Sequence, residues 1–368
     1  MTNFKEKSNC KVFKINNKNT ITNFTYKFSI NGETLFYELI IDFDNNNIIK
    51  EKLHNGKIYG IYFDRFFNDE EINISCTKKM SKEDYRFFDV YAKDFKNNQD
   101  KNFNTTFFLR DVARKRPNDS EYYKVYKDVY KEIIDTIVIY PETEYGNFFG
   151  LINDNEDFTS FKKILSDYNI DITDIIKEEI SLDSLLANSK EIQKDLVNLI
   201  DNLKKGESVQ ISLSGILESI KKEENGEIKI NKLTLRHGSD DSFEYFEESN
   251  GTRRLFDLLP LLLLPKDKRR LVLIDEIDQS LHTLLTQKLI KDLFDKSFTS
   301  SSQFLITTHD INLFNQSLLR GDEILLVNKD SQMHSSNITS FVDFKKRADR
   351  DVISRYLSGE FGAIPKLS

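Results

Sequence analysis

Two short apolar runs, each ending in polar residues, constrain this chain more than anything else in it. Leu271-Val272-Leu273-Ile274 is followed at once by Asp275 and Glu276, and Phe304-Leu305-Ile306 by Thr307, Thr308, His309 and Asp310. A run of four apolar residues has no polar face, so it suits a strand buried on both sides, as in a parallel sheet between helices. His309 lies 33 residues after Glu276, and one strand–helix–strand unit takes about 30 residues. Glu276 and His309 are therefore expected at the same edge of adjacent or near-adjacent strands. That edge, at the strands' C-terminal ends, is where open α/β sheets bind ligands. A first carboxylate there can hold Mg2+, and a second can polarise an attacking water. A histidine there can hydrogen-bond a γ-phosphate and sense its loss. Taken singly, an acidic strand end or a histidine capping the next helix is ordinary structure. The pairing across that interval is what points to chemistry.

A third motif, Glu247 to Arg254, stands just before an apolar helix expected from Leu255. Ser249 suits an N-cap, and Gly251 bares backbone N–H groups at the positive end of that helix, an arrangement that favours a phosphate. In isolation it is no more than a good helix start.

The rest of the chain surrounds these motifs. Residues 1–20 are polar and rich in Asn and Lys. From Ile21 to Arg65, TYKFSI, TLFYELIIDF and KIYGIYFDR read as strands separated by NGE, DNNN and NGK turn signals, an antiparallel meander. Residues 81–135 read as mainly helical, and DTIVIYP at 135–141 as a short buried strand stopped by Pro141. Residues 155–223 read as helical from Phe158, Phe161, Ile164 and Leu165 and from Ile192, Leu196, Leu199, Ile200 and Leu203, without the heptads of a coiled-coil arm. IKINKLTLRHG at 228–238 returns to strand. Then follow strand 271–275, a helix from about Ser280 to Lys296, strand 303–310, a helix from about Ile311 and strand 323–329. The expected class is α/β: an antiparallel β meander, an inserted helical region and a C-terminal parallel α/β layer. The parts divide as 1–20, 21–150, 151–225 and 226–368.

Charge and cysteine content narrow the setting. The formal net charge of −7 argues mildly against a globally basic nucleic-acid binder, though not against a local basic groove. KDKRR at 266–270 and RKRP at 114–117 read first as solvated surface, giving only weak support to DNA binding. Cys10 and Cys76 are too few for a disulfide framework or a zinc site. No secretory leader is visible, and the apolar run Leu255–Leu264 is too short to span a bilayer. A soluble cytoplasmic protein without membrane contact is expected.

In order and spacing, ESNGTRRLF, LVLIDEID, QSLH and ITTHD resemble the signature, Walker B with D-loop, and switch histidine of ABC-type ATPase heads. Within that class the chain resembles the AAA-type ATPases of the OLD and abortive-infection kind. FYELIIDFDNNNIIKEKL near the start and RADRDVISRYLSGEFGAIPKL at the end also look like that group, so the likeness runs from about residue 20 to 367. It implies ATP and Mg2+ as ligands, with Asp275 the metal carboxylate, Glu276 the catalytic base and His309 the switch residue. Ser249, Asn250, Gly251 and Thr252 would contact ATP held by a second head, and Ser280 and His282 would belong to the same nucleotide-binding surface. It also implies a homodimer of heads and a role in phage defence beside a nuclease or toxin partner.

Two departures stand out. Thr283 occupies the place of the proline in the usual SLHP. More seriously, no two of the 13 glycines are five positions apart, so the sequence holds no G-x-x-x-x-G-K-[ST] phosphate loop. The pairs that come nearest to that spacing, Gly56/Gly60 and Gly146/Gly150, are four apart and are followed by Ile61 and Leu151 rather than Lys. The expectation is a head lacking its opening strand, Walker A loop and first helix, incomplete alone. The alternative is a non-hydrolytic interaction module or a truncated remnant of such an ATPase.

Overall fold

The computed structural model describes residues 21–68, 71–97, 106–115, 120–141, 155–187, 193–213, 216–238, 241–264, 269–300, 302–314, 318–330, 335–344 and 352–362. The chain divides into two compact units, Met1–Thr136 and Ile137–Ser368. Residues 1–20, Lys266 to Lys268 of the first basic cluster, and Arg116 and Pro117 of the second lie outside the described residues.

In the first unit β1 (Ile21–Ile30), β2 (Glu33–Asp42), β3 (Asn47–His54), β4 (Ile61–Phe67) and β5 (Ile72–Ser75) form one antiparallel sheet in that order. Asn31 and Gly32 join β1 to β2 with φ of 50° and 77°, the left-handed pair that a two-residue hairpin turn requires. Alternation then sets the buried face. Leu35, Tyr37, Leu39 and Ile41 of β2 point inward with Ile48 and Leu53 of β3 and Phe63 of β4. Against that face pack α1 (Lys82–Asn97), α2 (Phe108–Lys115) and α3 (Glu121–Ile134), through Phe88, Phe95, Phe108, Tyr122, Tyr123 and Tyr126. The buried tyrosines keep their hydroxyls bonded: Tyr122 and Tyr126 both donate to the Tyr62 carbonyl, at 2.6 and 2.8 Å.

The meander has two strands more, β3 and β5, and one piece less, than its turn signals suggest. NIIKEKLH is β3, whereas residues 57–60 of the expected strand KIYGIYFDR form a turn that leaves Ile58 83% and Tyr59 76% exposed. β3 is masked in the sequence because Glu51, at an inward position, is wholly buried. Its carboxylate accepts the Tyr37 hydroxyl at 2.9 Å and the Phe108 and Leu109 N–H groups, which open α2, at 2.6 and 2.8 Å. Arg65, equally buried, brings a guanidinium nitrogen to 4.0 Å. Burial pushes the Glu51 carboxyl up; Arg65 and the two backbone donors oppose that shift.

In the second unit β6 (Ile137–Ile139), β12 (Leu271–Ile274) and β13 (Gln303–Ile306) form the parallel layer, ordered β13-β12-β6. One face carries Val272, Ile274, Phe304 and Ile306 into a core shared with α4 (Asn155–Asp167), α7 (Asn250–Leu258) and α8 (Thr283–Ser300). The opposite face carries Leu271, Leu273 and Leu305, and there Leu271 is 36% and Leu305 56% exposed.

The segment expected to be helical is mixed. It holds α4, α5 (Leu182–Ala187) and α6 (Gln193–Asn202), but also β7 (Ile172–Ile180), β8 (Ser208–Leu213) and β9 (Ile216–Lys222). The strands pair antiparallel with β10 (Ile228–His237) or with each other, and β11 (Ser242–Phe243) closes the sheet. SVQISL alternates with period two, which overrides the helical spacing of the leucines before it, whereas buried Glu218 breaks the alternation in ILESIKK. Two further corrections concern the C-terminal part. The helix expected from Ile311 is a single 3-10 turn, Ile311–Leu313. β14 (Leu325–Lys329) does not join the parallel layer but pairs antiparallel with β15 (Ser336–Ser340), before α9 (Val352–Leu357).

Glu218 of β9 is 2% exposed, directly opposite Lys232 of β10, and its Oε2 has no hydrogen-bond partner among the described residues. Burial pushes its carboxyl up to about 7; Lys232 works against the shift and the Glu244 carboxylate adds to it.

Two predictions follow from these buried carboxylates. Glu51→Ala strands two α2 donors and the Arg65 charge, and should lower stability by about 3–5 kcal/mol, read as a shifted urea midpoint. Glu218 binds its proton more tightly folded than unfolded, so its contribution to stability falls as pH rises from the ordinary carboxylate range through about 7. Wild-type Tm should therefore drop relative to Glu218→Gln between about pH 5 and 8; parallel profiles would contradict this.

Candidate functional site

The carboxylates leave the sheet where the backbone ladder ends. The Asp275 N–H still pairs with the Ile139 carbonyl at 2.8 Å, and the Thr307 N–H with that of Ile274 at 2.9 Å. Beyond this rung, Thr307 becomes the junction. Its hydroxyl donates to Asp275 Oδ1 at 2.5 Å and accepts the Glu276 N–H at 2.9 Å, while its carbonyl takes the Ile277 N–H at 3.1 Å. Glu276 adopts φ 47°, a left-handed conformation uncommon for glutamate, which turns the chain sharply off the strand. His309 Nε2 lies 3.4 Å from Glu276 Oε1, with the imidazole 83% and the carboxylate 39% exposed. The pairing expected from a 33-residue interval is thus met in space. Asp278 braces the histidine loop, accepting the Thr308 hydroxyl and the His309 N–H.

The Ser249–Thr252 turn approaches the same edge. Ser249 is the N-cap of α7: its hydroxyl accepts the Thr252 N–H at 3.0 Å and lies 2.9 Å from the Thr252 hydroxyl. Asn250 takes a hydrogen bond from Arg253. Gly251 is placed by close approach, since a Cβ there would sit 2.9 Å from the Ser280 carbonyl oxygen. Ser280 itself has φ 61°. At Gly251 the signature-like turn and the turn after β12 therefore approach backbone to backbone. His282 starts α8, with Nδ1 accepting the Leu284 N–H at 3.2 Å and its carbonyl the Leu285 N–H at 2.8 Å.

Thr283, where the resemblance leads one to expect proline, donates to Asp310 at 2.6 Å, a bond proline could not make. Partial burial raises the Asp310 carboxyl, but hydrogen bonds from Thr283 and Asn312 and the nearby His282 outweigh it and hold it below the ordinary value.

Arg254 carries no functional signal in the sequence, yet it joins the two halves of the site. Only 4% exposed, it donates to the carbonyls of Tyr140, Asp275 and Glu276 at 3.1, 2.8 and 2.9 Å. Burial lowers its pKa against the pull of Asp257, Glu276, Asp275 and Asp278. Thr307 and Asp278 likewise carry no motif of their own. Their only signal was position, directly after an apolar strand. Among the described residues no group of three or more His, Cys, Asp or Glu is placed to hold a metal ion, and no helix is long and apolar enough to cross a membrane.

Adjacent carboxylates and a histidine at the C-terminal edge of a parallel sheet, tied to the start of a capped helix, suit a nucleotide-binding ATPase domain of the ABC-like AAA class. The chain belongs to the family described as "AAA domain, putative AbiEii toxin, Type IV TA system", whose model matches residues 12–315. No curated protein matches the chain. Among solved structures, it is similar to the SmcHead bound to the C-winged helix domain of ScpA, at 11% identity and a TM-score of 0.33, over 87% of this chain and 74% of that one.

Arg254→Met should preserve bulk but remove the guanidinium hydrogen bonds to three part-buried carbonyls, of which only that of Glu276 also takes a backbone N–H, from Gln279 at 3.0 Å, among the bonds described. Unfolding should shift by about 3 kcal/mol in denaturant titration, whereas Arg253→Met, which loses a bond on an exposed turn, should shift it by less than about 1 kcal/mol.

Proposed function

We propose that this chain is an ABC-type ATPase head of the OLD-like, abortive-infection kind, in which Glu276 activates the attacking water. The observation that carries the reading is the joint placement of Asp275, Glu276 and His309 at one sheet edge, with Glu276 and His309 3.4 Å apart. Glu276 would take the proton of water, and His309 would hold the γ-phosphate side of the nucleotide while orienting the carboxylate. The bare N–H groups at the start of α7 would face the phosphates of ATP bound by a second copy, so that ATP is sandwiched between two heads. Asp275 and the Thr307 hydroxyl are hard oxygen donors side by side. This suits Mg2+, which is commonly held by one or two carboxylates together with phosphates and water. When bound, Mg2+ would supply charge neutralisation on the phosphates.

The backbone cradle for the β- and γ-phosphates is not among these residues, since no two glycines are five apart. In this reading the cradle belongs to a strand–loop–helix segment supplied in addition to the 368 residues. The exposed Leu271 and Leu305 on one face of the parallel layer support such an addition, because parallel sheets ordinarily have both faces covered. The family description names a toxin and a type IV system. With the OLD-like motifs it supports a cytoplasmic role in phage defence, beside a nuclease or toxin partner.

By itself the chain should bind Mg2+·ATP too weakly to register in calorimetry; micromolar affinity would overturn the need for an added loop. Once the chain is joined to a segment carrying G-x-x-x-x-G-K-[ST], ATP binding and turnover should appear. Glu276→Gln in that protein should keep binding and lose turnover by at least about a hundredfold. Turnover at the unmutated rate would remove Glu276 as the base.

A further inference from the structure

The first unit holds a second site of different chemistry. Between the end of β5 and the first turns of α1 lies a cleft of about 490 Å³, lined by Lys78, Lys79, Lys82, Arg86 and Tyr85 over a floor that includes Met80. Four of its lining residues are cations and none is a carboxylate, in a chain whose formal charge is −7. Lys82, Tyr85 and Arg86 share one helix face, at i, i+3 and i+4. Of the two acids in the first turn of α1, Asp84 is 8% exposed and accepts the Ser81 hydroxyl at 2.7 Å, while Glu83 is exposed and makes no ion pair with Lys79, Lys82 or Arg86. Lys78 is already held, 3.1 Å from Glu33 and 4.8 Å from the centre of the Tyr62 ring. Lys79, Lys82 and Arg86 have no ion pair among the described residues.

Exposed aromatic and apolar surface lies beside this charge. Tyr85 is 59% exposed, and the turn bearing Lys57, Ile58 and Tyr59 is fixed next to the cleft, the Thr77 hydroxyl donating to the Ile58 carbonyl at 3.2 Å. Cations that track phosphates, interleaved with open ring faces on which bases stack, are what a single-stranded nucleic acid requires. A free phosphate would have no use for the rings.

We propose that this cleft binds single-stranded nucleic acid, with Lys79, Lys82 and Arg86 on successive phosphates and Tyr85 under a base. The site lies outside the two basic clusters noted in the sequence and does not depend on the ATPase reading.

Fluorescence anisotropy of the full chain with a labelled oligothymidine of about 15 nucleotides tests it. Wild type should bind, with affinity falling as salt rises. Lys79→Glu, Lys82→Glu and Arg86→Glu combined should weaken binding at least about tenfold, and removing those three contacts should flatten the salt slope by about 2. Tyr85→Ala should weaken binding about tenfold with the salt slope unchanged. All four side chains are exposed, so circular dichroism melts should match wild type; the salt slope of the unmutated chain is a readout that needs no variant. Absence of binding, a triple variant that binds as wild type does, or equal displacement by oligoglutamate would each overturn the proposal.

Discussion

The candidate site depends on one buried guanidinium. Arg254 sits in α7, yet all three of its carbonyl partners belong to the strand ends of the parallel layer: Tyr140 just beyond β6, and Asp275 and Glu276 just beyond β12. Carbonyls there lie beyond the last ladder rung; that of Glu276 takes the Gln279 N–H at 3.0 Å, and the guanidinium adds side-chain donors to all three. By supplying them, Arg254 fixes the backbone from which both carboxylates hang and ties it to the helix whose start bears Ser249, Asn250, Gly251 and Thr252. Gly251 completes the join, because only a residue without a Cβ lets the α7 backbone meet the Ser280 carbonyl. Thr307 then sets the carboxylates relative to β13. The charges at this edge also make burial of an arginine tolerable, as four acids surround it.

The elements legible in the sequence were those whose chemistry changes abruptly. LVLI followed by Asp-Glu, and QFLI followed by Thr-Thr-His-Asp, form β12 and β13 in parallel, with the expected residues at the expected edge. Two of the elements missed, β3 and β9, share a cause. β3 holds Glu51 and β9 holds Glu218, both essentially without solvent exposure. A buried carboxylate reads as surface in a hydrophobic pattern and breaks the apparent period of its strand. Glu51 is compensated by the start of α2, a contact 57 residues away in sequence that no local pattern contains. Arg254 escaped notice for the complementary reason, since a basic residue within ESNGTRR looks like part of a solvated helix start.

Distribution of charge also separates the two units. The second unit concentrates acids at a sheet edge, around Asp275, Glu276 and Asp278. The first concentrates cations around Lys79, Lys82 and Arg86, on a chain that is acidic as a whole. Net charge therefore says little about either surface, because each potential is set within a few residues and is screened over about 8 Å at physiological salt.

The left-handed backbone at Glu276 has an evolutionary side. Holding a non-glycine residue at φ 47° costs about 1 kcal/mol or more, a strain that glycine would relieve at once. At this position the substitution that best suits the backbone deletes the very carboxylate proposed as base. A lineage under selection for robustness alone would drift toward losing it, and one that keeps glutamate here forgoes an available gain in stability. Retention of an acid at this strained turn across related chains would then reflect selection on chemistry together with its charge support of the buried Arg254.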